Sequence, residues 1–112
     1  MLTFISCAKT MTDRSRVNVP FTSEPYFAEE AKQNAMKMAQ YSVDDLSKVL
    51  RINQKLSSVN RMRYNDFLSD NGKKLPALLS YTGMVFKRIH PADFTPEDFS
   101  YAQKHLLISS FL

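Results

Sequence analysis

Five basic side chains, Lys48, Arg51, Lys55, Arg61 and Arg63, fall between Val43 and Phe67, where Asp44, Asp45 and Asp66 are the opposing acids. Ammonium and guanidinium groups at this density suit phosphate. They neutralise backbone charge and release counterions, which gives salt-dependent binding with weak sequence selectivity. The apolar residues between them indicate what would hold them. Leu46, Val49 and Leu50 recur at helical spacing, and Leu56, Val59 and, after a register step, Met62, Arg63 and Phe67 continue it. This predicts a helix, a break at Arg51-Ile52-Asn53 and a second helix, with the apolar series turned to a core. Ser42 and Asn53 stand where N-caps belong, and Asp44 and Asp45 suit a first turn. The hairpin and the backbone N–H groups at the second helix's start would face a phosphate. From charge alone, a solvated basic face is the plain alternative. Tyr64 suits packing better than stacking on an unpaired base.

The wider chain agrees in charge. It carries 15 Lys and Arg against 11 Asp and Glu, a net charge of +4 and a pI near 9.3. Between Leu46 and His90 nine basic residues face two acids, Asp66 and Asp70, which favours a polyanionic partner, DNA first. Lys9, just past an apolar amino-terminal stretch, is a further candidate anion contact.

Enzyme signatures are missing from the sequence. Its two glycines, Gly72 and Gly83, make neither a phosphate loop nor a dinucleotide fingerprint, and no G-x-S-x-G occurs. Cys7 has no neighbouring His, Cys or acid pair to activate it. His90 and His105 sit in no metal-ligand spacing, and Met36 and Met38 read as packing residues. We therefore expect no catalytic activity, no cofactor and no metal site. A single cysteine and no apolar run long enough for a bilayer point to a cytoplasmic protein with no membrane partner.

A chain of 112 residues, 44% hydrophobic and 12% aromatic, fits one domain over residues 1–112 with a modest core. Leu2 to Ile5 reads as a buried strand and Thr12 to Ser23 as a loop. A helix follows, capped by Ser23, with Phe27, Ala31, Ala35 and Met38 three or four apart through Gln40. After the basic pair, an end is expected at Asp70-Asn71-Gly72, followed by a strand from Leu75 to Tyr81. His90 to Asp93 reads as a loop. Thr95, Pro96 and Asp98 mark a strong helix start, with the helix running to Lys104 or His105. Leu106 to Leu112 would be a strand. The fold class is α/β, with short strands and about four helices.

Three ordered motifs carry a resemblance. L-R-I-N-Q-K-L-S-S-V-N-R-M-R-Y, from Leu50 to Tyr64, is similar to the central signature of the YaaA family, the peroxide stress proteins. Ile5-Ser6-Cys7-Ala8-Lys9-Thr10 resembles that family's opening I-S-P-A-K-T. Phe94-Thr95-Pro96-Glu97-Asp98-Phe99 with Ala102-Gln103 and His105-Leu106 resembles a later stretch. Together they span nearly the whole chain.

The resemblance implies a role in peroxide stress, limitation of free iron and protection of DNA, with DNA bound through a helix-hairpin-helix-like element in a basic cleft. Here that element would be Asp45 to Arg63, with Lys9, Arg51, Lys55, Arg61 and Arg63 as the DNA contacts. The chain departs from the family in three places. Cys7 replaces a proline, the hairpin glycine is absent from Arg51-Ile52-Asn53, and Gly83-Met84-Val85-Phe86 stands where the family has Gly-Asp-Val-Tyr. Family members are longer, so the resemblance also implies an amino-terminal half. Its exposed carboxyl-terminal strand would lack neighbours and favour self-association. An inactive member acting only as a structural or interaction fragment is the alternative reading.

Overall fold

The computed structural model describes residues 1–70 and 74–110. They fall into two compact units, one of Glu24–Gly72 and the other of Met1–Ser23 with Lys73–Phe111.

The first unit is helical: α1 (Ala28–Ala39), α2 (Val43–Leu50) and α3 (Gln54–Ser69). Both α1 and α2 pack on α3. Helix α1 starts later than the sequence suggests. A turn from Pro25 to Ala28 precedes it, and its amino end at Phe27 has no side-chain cap. The hydroxyl of Ser23 is used elsewhere, accepting a hydrogen bond from Gln103 Nε2 at 2.9 Å. The starts of α2 and α3 are as expected. Ser42 Oγ accepts from the Asp45 N–H at 3.1 Å, and Asn53 Oδ1 accepts from the Leu56 N–H at 2.9 Å. Asp70 closes α3 in a left-handed conformation, and the rest of the expected turn, Asn71 and Gly72, lies outside the described residues.

The second unit holds the strands: β1 (Thr3–Ser6), β2 (Thr10–Met11), β3 (Tyr81–Thr82) and β4 (Leu106–Ser109). It also holds the helices α4 (Ala77–Ser80), α5 (Met84–Ile89) and α6 (Pro96–His105), and a 3-10 turn over Pro91–Asp93. Strand β1 pairs β4 in parallel, from Thr3 opposite Leu106 to Ser6 opposite Ser109. β2 pairs β3 antiparallel, and the hydroxyls of Thr10 and Thr82 bond across them at 2.6 Å. The core is Leu79, Tyr81 and Phe86, with the two rings 5.5 Å apart. Gly83 turns the chain from β3 into α5 at φ 127°, ψ 175°, a conformation essentially confined to glycine. Thr95 and Asp98 form the expected capping box at the start of α6.

The mixed α/β class is as read from the sequence, with two short helices, α4 and α5, beyond the four expected. Three local readings change. The strand expected from Leu75 to Tyr81 is mostly helix, because the Pro76 carbonyl accepts from both Leu79 and Ser80 and closes a helical turn. A short apolar run does not distinguish a buried strand from a buried helical turn. The amino-terminal strand, expected to be buried, is largely exposed. The carboxyl-terminal strand has one neighbour, β1, and its residues Leu106, Leu107 and Ile108 are half-buried instead of exposed, while among the described residues no strand pairs its other edge; Phe111 and Leu112 lie outside the described residues.

Candidate nucleic-acid interface

The connection between α2 and α3 takes its shape from backbone hydrogen bonds. The Ile52 N–H donates to the Ser47 carbonyl at 3.0 Å and the Arg51 N–H to the Lys48 carbonyl at 3.3 Å. These are the paired bonds of a Schellman ending, whose pivotal residue is left-handed and usually glycine. Here it is Arg51, at φ 55° and ψ 47°. The left-handed backbone costs a non-glycine residue about 1–2 kcal/mol. The family's missing glycine is thus accounted for structurally: the turn is made, and a guanidinium stands at its apex.

A second tie holds the two helices together. Ser57, fully buried on α3, donates its hydroxyl to the Val43 carbonyl in the first turn of α2. Leu46, also fully buried, lies one turn further along α2. A small polar residue at the contact lets the helices approach closely, and its hydroxyl is satisfied by that carbonyl.

The seam between the helices corrects the expected facing of α3. Its more buried positions are Ser57, Val59, Asn60, Tyr64 and Leu68, so of the expected apolar series Val59 is half-buried as read. Leu56, Met62 and Phe67, read as inward-facing, are instead 49%, 59% and 50% exposed. Helical periodicity reports that two faces exist; which one packs is decided by the neighbouring helices. Tyr64 is half-buried on the packed side, in line with its reading as a packing residue.

The basic residues are accordingly distributed around the outside. Arg51, Lys55, Arg61 and Arg63 are all exposed, and among the described residues none of them has an ion pair. Lys48 lies 4.0 Å from Asp45, an exposed pair of little energetic weight. At about 100° per residue, Lys55 and Arg63 fall within about 80° of each other on α3, whereas Arg61 projects about 160° from Arg63. Arg51, at the turn, lies just before the end of α3 that carries Lys55. On α3, Lys55 and Arg63 therefore share one side and Arg61 is on the other flank, while Arg51 stands at the turn that precedes the helix. The Lys55 side also presents Leu56 and Met62, so it is cationic and apolar together.

Lys9 belongs to the strand-bearing unit. It is exposed in the link from β1 to β2, past the carboxyl end of β1 as expected. A cavity of about 320 Å³ opens at that end, lined by residues 5–8 and 83–86, and Lys9 is not among its lining residues. Met84 and Phe86 occupy the places of the family's acid and phenol. Met84 is 71% exposed, while Phe86 is buried against Tyr81. Of the remaining groups, Cys7 is half-buried, His90 Nδ1 lies 2.8 Å from Asp93 Oδ2, and His105 Nδ1 lies 2.9 Å from the Met1 carbonyl oxygen. Among the described residues, no three His, Cys, Asp or Glu side chains converge as metal ligands, and no helix is long and apolar enough to cross a membrane.

Comparison with known proteins completes the description. The family model described as peroxide stress protein YaaA matches residues 1–112. A UPF0246 protein of Phocaeicola vulgatus is 60% identical over 112 residues, covering 100% of this chain and 44% of the relative. A UPF0246 protein of Bacteroides thetaiotaomicron is 51% identical over 111 residues, covering 99% and 43%. One from Porphyromonas gingivalis is 42% identical over 113 residues, covering 100% and 44%. The chain thus spans less than half the length of these relatives.

Proposed function

The chain belongs to the peroxide stress protein YaaA family, and from that premise we propose that it acts in the peroxide stress response by binding DNA. The contacts are to the phosphate backbone, through the turn and outer side of the α2–α3 pair, and binding helps limit iron-dependent oxidative damage. The observation that carries this reading is the apex of the turn. A cationic residue holds the left-handed position at an energetic cost, next to a helix start and to Lys55, which has no ion pair among the described residues. A turn selected for stability alone would place glycine there.

Arg51, Lys55 and Arg63 make the principal contacts. Arg61 and Lys9 add positive potential without sharing that side of α3. Contacts of this kind bind duplexes of any sequence and weaken steeply with salt. The protein has no catalytic role in this reading and works in the cytoplasm.

The test is fluorescence anisotropy of a labelled duplex and a labelled single strand over a salt series, on the parent chain and on an Arg51→Glu/Lys55→Glu variant whose circular dichroism matches it. The expected result is parent binding with a log–log salt slope of about −3, from three phosphate contacts, and at least a tenfold loss in the variant. A folded parent that binds neither strand at low salt overturns the DNA reading and leaves a structural or interaction role.

A further inference from the structure

We propose that a cavity in the strand-bearing unit, lined by α4, β3, α5 and the 3-10 turn, binds a small aromatic carboxylate. The inference is independent of the DNA reading.

The apolar part of the cavity comes from the core. Leu79, Tyr81 and Phe86 line it, and all three are buried. The Tyr81 hydroxyl donates to Ser110 Oγ at 3.0 Å, so its polar atom is engaged and the ring is what it offers a guest. Tyr81 and Phe86 stand 5.5 Å apart with their planes tilted by 37°. Side chains already ordered in a core lose little freedom when a ligand arrives.

Volume limits the guest. The cavity holds about 220 Å³. A cavity of about 150 Å³ takes benzene, so one ring with one small substituent fits here. Larger ligands need the roughly 300–1,000 Å³ of an ordinary small-molecule site.

The polar lining decides the substituent. Among the lining residues Lys87 and His90 are basic and there is no carboxylate, so a cationic guest would meet like charge. Lys87 is exposed and has no ion pair among the described residues. His90 is held differently. Its Nδ1 lies 2.8 Å from Asp93 Oδ2, which keeps the ring proton on that nitrogen, and Nε2 of the neutral ring is then an acceptor. The ammonium of Lys87 is the group left to meet an anion. Two hydroxyls also line the cavity. Thr82 Oγ1 is bonded to Thr10 Oγ1 at 2.6 Å, whereas Ser15 Oγ accepts from the Val17 N–H at 3.2 Å and keeps its own O–H free to donate. One ammonium and one hydroxyl donor suit the two oxygens of a monoanionic carboxylate.

The probe is benzoate, titrated into this chain at constant ionic strength and followed by residue-resolved NMR. Benzyl alcohol supplies the ring without the charge, and acetate the charge without the ring. Benzoate is expected to shift the amides of Leu79, Tyr81, Phe86 and Lys87 saturably, with a Kd on the order of 1 mM, and to bind at least about tenfold more tightly than either control. Lys87→Gln, at an exposed position, should keep the dispersed spectrum of the parent, weaken benzoate at least about fivefold and leave benzyl alcohol unchanged. Three outcomes overturn the proposal: benzoate gives no saturable shift at these amides, benzyl alcohol binds as tightly as benzoate, or the folded Lys87→Gln variant binds benzoate as the parent does.

Discussion

The helical unit and the strand-bearing unit differ in where their backbone groups find partners. In α2 and α3 the partners are local: Ser42 caps one helix, Asn53 caps the next, and the turn between them closes through Ser47 and Lys48. Strand β1 finds its neighbour in β4, at the far end of the sequence, and leaves its other edge without a backbone partner among the described residues. The first arrangement caps and turns its helices through contacts a few residues apart. The second depends on what is brought to it.

Core substitutions separate the units most strongly. Phe86→Ala should destabilise the strand-bearing unit by about 3–5 kcal/mol, and Leu46→Ala should destabilise the helical unit by about 2–5 kcal/mol, because each removes a buried side chain and leaves a cavity. Urea titration followed by residue-resolved NMR checks both. A smaller loss in either than in an exposed control would mean that the unit has no core of its own.

Next come the local ties of the helical unit. Ser57→Ala and Asn53→Ala should each cost about 1 kcal/mol, the first by removing the bond to the Val43 carbonyl and the second by uncapping α3. Thermal midpoints report the loss, and an unchanged midpoint for Ser57→Ala would remove the serine from the account of the seam.

Arg51→Gly sharpens the comparison in the opposite direction. Glycine adopts the left-handed turn without strain, so stability should rise by up to about 1 kcal/mol. Loss of the guanidinium should reduce the magnitude of the DNA salt slope by about 1. A variant that is both more stable and an equal binder would assign Arg51 no role in binding.

The smallest effect is expected at Phe4→Ser. An aromatic residue in a strand would ordinarily be costly to lose, but at 70% exposure it should change stability by less than about 0.5 kcal/mol. A loss above about 2 kcal/mol would show that the face is covered in solution.

Much of the helical unit was legible because its signals are short-range. Ser42 and Asn53 there, like the Thr95–Asp98 box in the strand-bearing unit, are caps whose donors lie three residues away, so residue type alone locates them. Ser23 has the same chemistry as Ser42 and misled, because its hydroxyl is occupied by Gln103 at the other end of the chain. The basic residues of the candidate interface could be named from the sequence, but their grouping could not. Arg61 and Arg63 are close in sequence and on opposite flanks of α3, and that matters only once the packed side is known. Ser57 carried no signal, since a serine in a helix ordinarily reads as a surface residue.

By itself, the amino-acid sequence determined the helix boundaries of α2, α3 and α6, the concentration of positive charge and the family motifs. All of these are properties of residue type and spacing over a few positions. Only the tertiary structure decided that α3 turns Ser57 and Tyr64 inward and Leu56 and Met62 outward, that Pro76 to Ser80 coils instead of extending, and that β4 lies beside β1. Each of those outcomes depends on a neighbour distant in sequence or on competition between nearly equivalent local conformations, and short-range patterns do not encode which neighbour arrives.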